Sequence, residues 1–194
     1  MQKQVRLFFL VGLALLLAAC ASTQTKSGKI SDYSSVRVSG SVSRDFERSL
    51  EYLAEQDYAS AIELLRSVVE REQRLPAPYI NLGIAHYKSG NEAKAEEAFL
   101  KALALDEKHP VATNELAVLY RKQGRFAEAR KIYVNALAEN PEYLPLIKNL
   151  GILCDLYLQD LQCALAQFEQ YVQLEPEDRD VTIWLADIQR RAGK

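Results

Sequence analysis

The sequence predicts an all-α solenoid of paired helices, and three observations carry that prediction. Residues 110–143 read PVATNELAVLYRKQGRFAEARKIYVNALAENPEY, two apolar rhythms at helical spacing divided by one glycine. In the first, Leu116, Ala117 and Tyr120 sit three and four apart and share a face. Gly124 supplies the turn. The second rhythm runs through Ala129, Tyr133, Ala136 and Leu137, and Asn140-Pro141 ends it, since proline cannot continue a helix. The second observation is that the same pattern returns 34 residues earlier and 34 residues later. The third is a composition of 48% hydrophobic residues over 194, enough to give one domain a sizeable core.

The front of the chain stands apart from this pattern. Lys3 and Arg6 precede an apolar run from Leu7 to Ala19, which contains Gly12. The run is too short to cross a bilayer comfortably but suits the core of a signal peptide. It ends in Leu17-Ala18-Ala19-Cys20, which resembles the bacterial lipobox. That resemblance implies removal of residues 1–19 and attachment of diacylglycerol to Cys20, with palmitate-type acyl chains anchoring the protein. The alternative is an ordinary secretory peptide with a cysteine near its end. Ala21, rather than aspartate, follows the cysteine, and the resemblance then implies the outer membrane, facing the periplasm. From residue 21 to 41 there are seven serines and few large apolar side chains, so residues 20–41 read as a lipidated cysteine and a flexible tether. The competing reading is a partner-binding segment around Ile30, Tyr33 and Val36.

The repeats then follow in order. In residues 42–75 the second half fits well, with Asp57-Tyr58 at the turn and Ala61, Leu65 and Val68 after it. The first half has Arg48 where the others have leucine, although Phe46, Leu50 and Leu53 keep an apolar stripe. Residues 76–109 carry Tyr79, Leu82, Gly83, His86, Ala95, Phe99 and Ala102, with Gly90 at the turn and Glu107 where a closing proline is expected. Residues 144–177 carry Ile147, Leu150, Gly151 and Cys154, then one extra residue assigned to the turn, then Ala164, Phe168, Tyr171 and Pro176. A last helix over 178–192, with Val181, Trp184, Leu185 and Ile188 apolar, covers the open edge. Arg190, Arg191 and Lys194 suit its C-terminal end.

These residues resemble the tetratricopeptide repeat (TPR): Leu-Gly/Ala, an aromatic, Ala-x3-aromatic-x2-Ala, then proline. Leu116, Ala117, Tyr120, Ala129, Tyr133, Ala136 and Pro141 fill it, three repeats stand in register, and the resemblance covers roughly residues 42–192 as about four repeats plus a C-terminal capping helix. The small residues let paired helices approach, and Phe99, Tyr133 and Phe168 fill the space beside them.

Little in the sequence points to catalysis. His86 and His109 lack partners at metal-ligand spacing, and there is no nucleophile elbow, P-loop or dinucleotide fingerprint. No cofactor, metal or small-molecule substrate is expected. A net charge of −2 without a basic surface argues against nucleic acid. Cys154 falls near the end of one helix and Cys163 near the start of its antiparallel partner, in a chain read as entering an oxidising compartment. A disulfide is one reading, and two free buried thiols the other.

The resemblance also implies a concave protein-binding groove lined by fixed positions of each first helix. It places Ile80, Ile84, Tyr87 and Lys88 there, then Asn114, Val118, Arg121 and Lys122, then Lys148, Ile152 and Asp155. Ile80, Ile84, Val118 and Ile152 replace much of the polar set that clamps peptide carboxylates in some TPR proteins. An apolar floor with a basic rim (Lys88, Arg121, Lys122 and Lys148) suits an amphipathic or extended segment. The bland reading is packing between helices. The expected role is a lipid-anchored adaptor of the bacterial envelope, assisting a pilus, secretion or cell-wall complex. A stoichiometric subunit of a motility or transport complex is the alternative.

Overall fold

The computed structural model describes residues 36–193. The signal-peptide segment, Cys20 and the tether up to residue 35 lie outside the described residues. The helices are α1 (Gly40–Ala54), α2 (Tyr58–Arg71), α3 (Pro76–Lys88), α4 (Glu92–Leu105), α5 (Pro110–Lys122), α6 (Phe126–Glu139), α7 (Leu144–Ile152), α8 (Leu161–Leu174) and α9 (Arg179–Arg191). No strand is present among the described residues.

Local chemistry sets the helix ends. Ser39, Asp57, Asn91, Asp160 and Asp178 accept backbone N–H bonds as N-caps of α1, α2, α4, α8 and α9. Proline occupies the first turn of α3, α5 and α7, where its missing N–H costs nothing. Each first helix ends on a left-handed residue: Gln56 (φ 62°), Gly90 (φ 85°), Gly124 (φ 76°) and Gln159 (φ 54°). Two of these turns therefore hold a side chain where glycine is the relaxed choice.

Pairs α1/α2, α3/α4, α5/α6 and α7/α8 stack side by side, with α9 packed on α8. Buried alanines and aromatics fill the pairs: Phe99, Tyr133 and Phe168 are each at most 1% exposed. They join Leu116, Leu119, Leu146, Ile147 and Leu153 in one core, which Val181 and Ile188 of α9 close. The first pair has a smaller core, in which Phe46, Tyr52 and Leu53 pack against Ala61 and Leu65. Arg48 stays exposed, its guanidinium over the Tyr52 ring at 5.6 Å. His86 is 7% exposed, and burial lowers its pKa ahead of the effects of Lys94 and Arg66.

One expectation is corrected. The extra residue of the fourth repeat does not enter the turn. It enters the helix, where Leu153–Tyr157 forms a π-helical segment continuing α7. The wider winding absorbs one residue inside the helix and leaves Gln159 at the turn position.

Candidate protein-interaction surface

The solenoid has an inner wall because its first helices draw together. Contacts run from α1 to α3, α3 to α5 and α5 to α7, and α2, α4, α6 and α8 make no comparable contacts with one another among the described residues. Asn149 Nδ2 of α7 donates to Asn114 Oδ1 of α5 at 2.9 Å, tying two of these helices directly.

The groove positions divide on this wall. Ile84, Val118 and Ile152 are half-buried at equivalent places on α3, α5 and α7. The outer edges of Ile84 and Ile152 face solvent, and their inner edges pack on the core. Ile80 and Asn114 do not belong to the surface. They are 4% and 6% exposed, Ile80 packing against Ala102 and Ala112, and Asn114 engaged by Asn149. Tyr87 is half-buried and Lys88 exposed.

Two of the four rim cations, Lys122 and Lys148, are paired with carboxylates. Lys122 Nζ lies 3.1 Å from Glu92 Oε1 and 4.7 Å from the centre of the Tyr87 ring. Lys148 Nζ donates to Asp178 Oδ2 at 3.0 Å and faces the Tyr171 and Trp184 rings at 5.4 and 5.3 Å. The Lys148 bond, with those from the Val181 N–H and the Tyr171 hydroxyl, holds the Asp178 carboxyl below its ordinary range despite partial desolvation. Tyr171 is pushed up to about 12 by burial and then by its bond to Asp178. Asp155 is not an isolated acid either, because Arg191 Nη2 donates to it at 2.6 Å.

Arg121 differs. Its guanidinium sits over the Tyr157 ring at 5.7 Å, makes no ion pair or hydrogen bond among the described residues, and has Nη1 buried without an acceptor. Glu115, on the same helix, is half-buried, and desolvation raises its pKa. Its oxygen is bonded by Asn114 at 3.1 Å.

Cys154 and Cys163 form a disulfide with Cα atoms 5.8 Å apart. It joins the π-segment to the first turn of α8. Beside it lies a pocket of about 220 Å³ lined by Ile152, Asp155, Leu156, Phe168 and Trp184. Leu156 and Trp184 were not among the residues read from sequence as groove positions. The one-residue surplus in the fourth repeat was the available signal, and it is what brings Leu156 to this place.

Among the described residues no three His, Cys, Asp or Glu side chains are grouped to hold a metal ion, and no helix is long and apolar enough to cross a membrane.

Family models described as tetratricopeptide repeat match residues 76–109 and 93–151. The first match has the boundaries of the second predicted repeat. No curated protein matches the chain by sequence. Among solved structures, the fold is similar to that of Pseudomonas aeruginosa pilF, at 22% identity over 78% of this chain and 68% of that one, with a TM-score of 0.71. It is also similar to MamA of Desulfovibrio magneticus RS-1, at 20% identity over 81% and 88% of the two chains, with a TM-score of 0.69. A thermophilic TPR protein of Thermus thermophilus gives 19% identity over 76% and 80%, with a TM-score of 0.67. At these identities the likeness is one of fold.

Proposed function

Starting from a chain that belongs to the tetratricopeptide repeat family, we propose that it is a lipid-anchored adaptor of the bacterial cell envelope. It holds a partner protein segment on its inner wall and assists assembly of a pilus, secretion or cell-wall complex. A protein-interaction role is what the repeats themselves support. The observation that carries the reading is the strip of Ile84, Val118 and Ile152, repeated on three adjacent helices and left half-open. The ending Leu17-Ala18-Ala19-Cys20 supports the anchor. A tethered groove meets membrane-bound partners at raised effective concentration. The role is non-catalytic and needs no cofactor.

Two experiments test the two halves. Metabolic labelling with a fatty-acid probe should mark the wild type and not Cys20→Ser, and equal labelling of both would remove the anchor. Pull-down from envelope extract should recover partners with the wild type and lose them with Ile84→Glu/Ile152→Glu. Val118→Glu is a second variant, chosen because Val118 is not part of a core cluster. Circular dichroism keeps misfolded protein out of the comparison. Full recovery by folded variants would place binding on another face.

A further inference from the structure

We propose that the groove ends, at the disulfide-linked π-segment, in a subsite for one bulky apolar side chain of an acidic amphipathic partner segment, whose carboxylate Arg121 receives. This rests on the proposed adaptor function and specifies its partner.

The apolar half of the subsite begins with the inserted residue. The π-segment carries Leu156 and Tyr157 at its end, 66% and 44% exposed, and α9 adds Ile183 and Trp184 at 65% and 40%. Leu156 and Trp184 line one pocket, and exposed large apolar side chains brought together mark a contact surface. Behind them the pocket has Phe168 as its buried floor, with Ile152, Leu156 and Trp184 as walls. Its volume, about 220 Å³, is below the roughly 300–1,000 Å³ of small-molecule sites. It suits a single side chain. The one carboxylate of its lining, Asp155, is paired with Arg191, so it does not oppose apolar filling.

The walls are held before any ligand arrives. The Cys154–Cys163 bridge ties the π-segment to α8, and the Arg191–Asp155 bond ties it to α9. A site fixed in this way loses less conformational freedom on binding.

The polar half rests on charge complementarity. Lys122 and Lys148 already have carboxylates, Glu92 and Asp178. Among the described residues Lys88 and Arg121 have none, and of the two Arg121 is the one at the π-segment, over Tyr157; a guanidinium can hold a carboxylate in two parallel bonds. A half-buried guanidinium with no acceptor is costly in a finished structure. Tyr157 connects it to the apolar end, because its ring lies under Arg121 and 5.0 Å from Phe126. A segment crossing the π-segment meets the apolar pocket on its α9 side and an unpaired cation on its α5 side.

Trp184 is the only tryptophan of the chain and lines the pocket, so its emission reports occupancy. The purified full chain is titrated with two short tryptophan-free amphipathic peptides. They share a Leu/Phe face, and one is flanked by Glu, the other by Lys. The Glu peptide should shift Trp184 emission and bind about tenfold or more tighter than the Lys peptide. Arg121→Glu should reverse that preference, and Leu156→Ser should weaken both peptides while leaving their ratio unchanged. Equal affinities in the wild type, or binding without a Trp184 response, would overturn the subsite. A Trp184 shift that grows with protein concentration alone, together with a dimer in sedimentation, would overturn it in favour of a second copy. If these fail while the pull-down still loses partners with Val118→Glu, the groove function stands and this subsite falls. If both fail, the groove reading falls too.

Discussion

A Cβ placed on Gly151 would stand 2.6 Å from Cε1 of Phe168. The two residues belong to opposite helices of the fourth pair, and only a hydrogen fits between them. Gly83 has the same relation to Phe99 in the second pair. Glycine inside a helix normally costs about 1 kcal/mol relative to alanine, so the close approach must outweigh a local preference. Gly151→Ala is therefore expected to destabilise by about 1–3 kcal/mol through overpacking. Gly40→Ala, where the added carbon meets only Arg44 at 3.7 Å, should not. Urea unfolding of both variants checks this, and stabilisation by Gly151→Ala would contradict the packing account.

The disulfide closes a short loop, with nine residues of sequence separation. Loop closure of that size is worth about 2–3 kcal/mol. Cys163→Ala should lower unfolding stability by that amount, and non-reducing peptide mapping of envelope-derived protein should show the linked pair. Two freely alkylated thiols in native protein would rule the bridge out.

His109 caps α5: its Nδ1 accepts the Ala112 N–H at 3.4 Å, an acceptor role that only the neutral ring can fill. Burial lowers its pKa, with Asp106 opposing. The folded value is thus below the unfolded value of about 6.5. Its contribution to stability is complete above the unfolded value and is lost as pH falls through the folded one. His109→Asn keeps a capping acceptor without the titration. The variant should show a shallower loss of stability in acid than the wild type, measured by urea unfolding above and below the ordinary imidazole value. His86, also depressed by burial, leaves part of the slope in both proteins.

Much of this architecture was legible in the sequence because each repeat spells its own packing. Leu116, Ala117, Tyr120, Ala129 and Tyr133 are buried where the spacing puts them. The π-segment was not legible. A one-residue surplus between Leu150 and Ala164 counts the same whether it widens a helix or lengthens a turn. The absence of glycine at Gln159 gave no direction, since Gln56 takes the same left-handed turn. The wall residues were legible only as positions. That Asn114 is consumed by Asn149, Lys122 by Glu92 and Lys148 by Asp178 depends on partners about 30 residues away, which a repeat pattern does not pair. Arg121 stood in the same series as these, and its lack of a partner emerged only from what surrounds it.

Asp178 joins the last helix to the wall. It caps α9 through the Val181 N–H at 3.2 Å and accepts from Lys148 Nζ and the Tyr171 hydroxyl, both at 3.0 Å. Loss of a cap alone costs about 1 kcal/mol. In a stacked array, loss at an end is felt there first. Asp178→Ala should therefore expose α9 to limited proteolysis while the earlier pairs stay protected. Uniform cleavage along the chain would show that α9 is not separately held.

The most direct test of the central claim places a photo-crosslinking amino acid at Val118 or at Val134 in cells and compares what each captures. Val118 stands on α5 in the middle of the inner strip, and Val134 lies on α6, 51% exposed, away from that wall. A groove that holds protein segments predicts discrete crosslinked partners from Val118 and none of the same species from Val134. Capture of those partners from Val134 instead, or equally from both, would contradict the account.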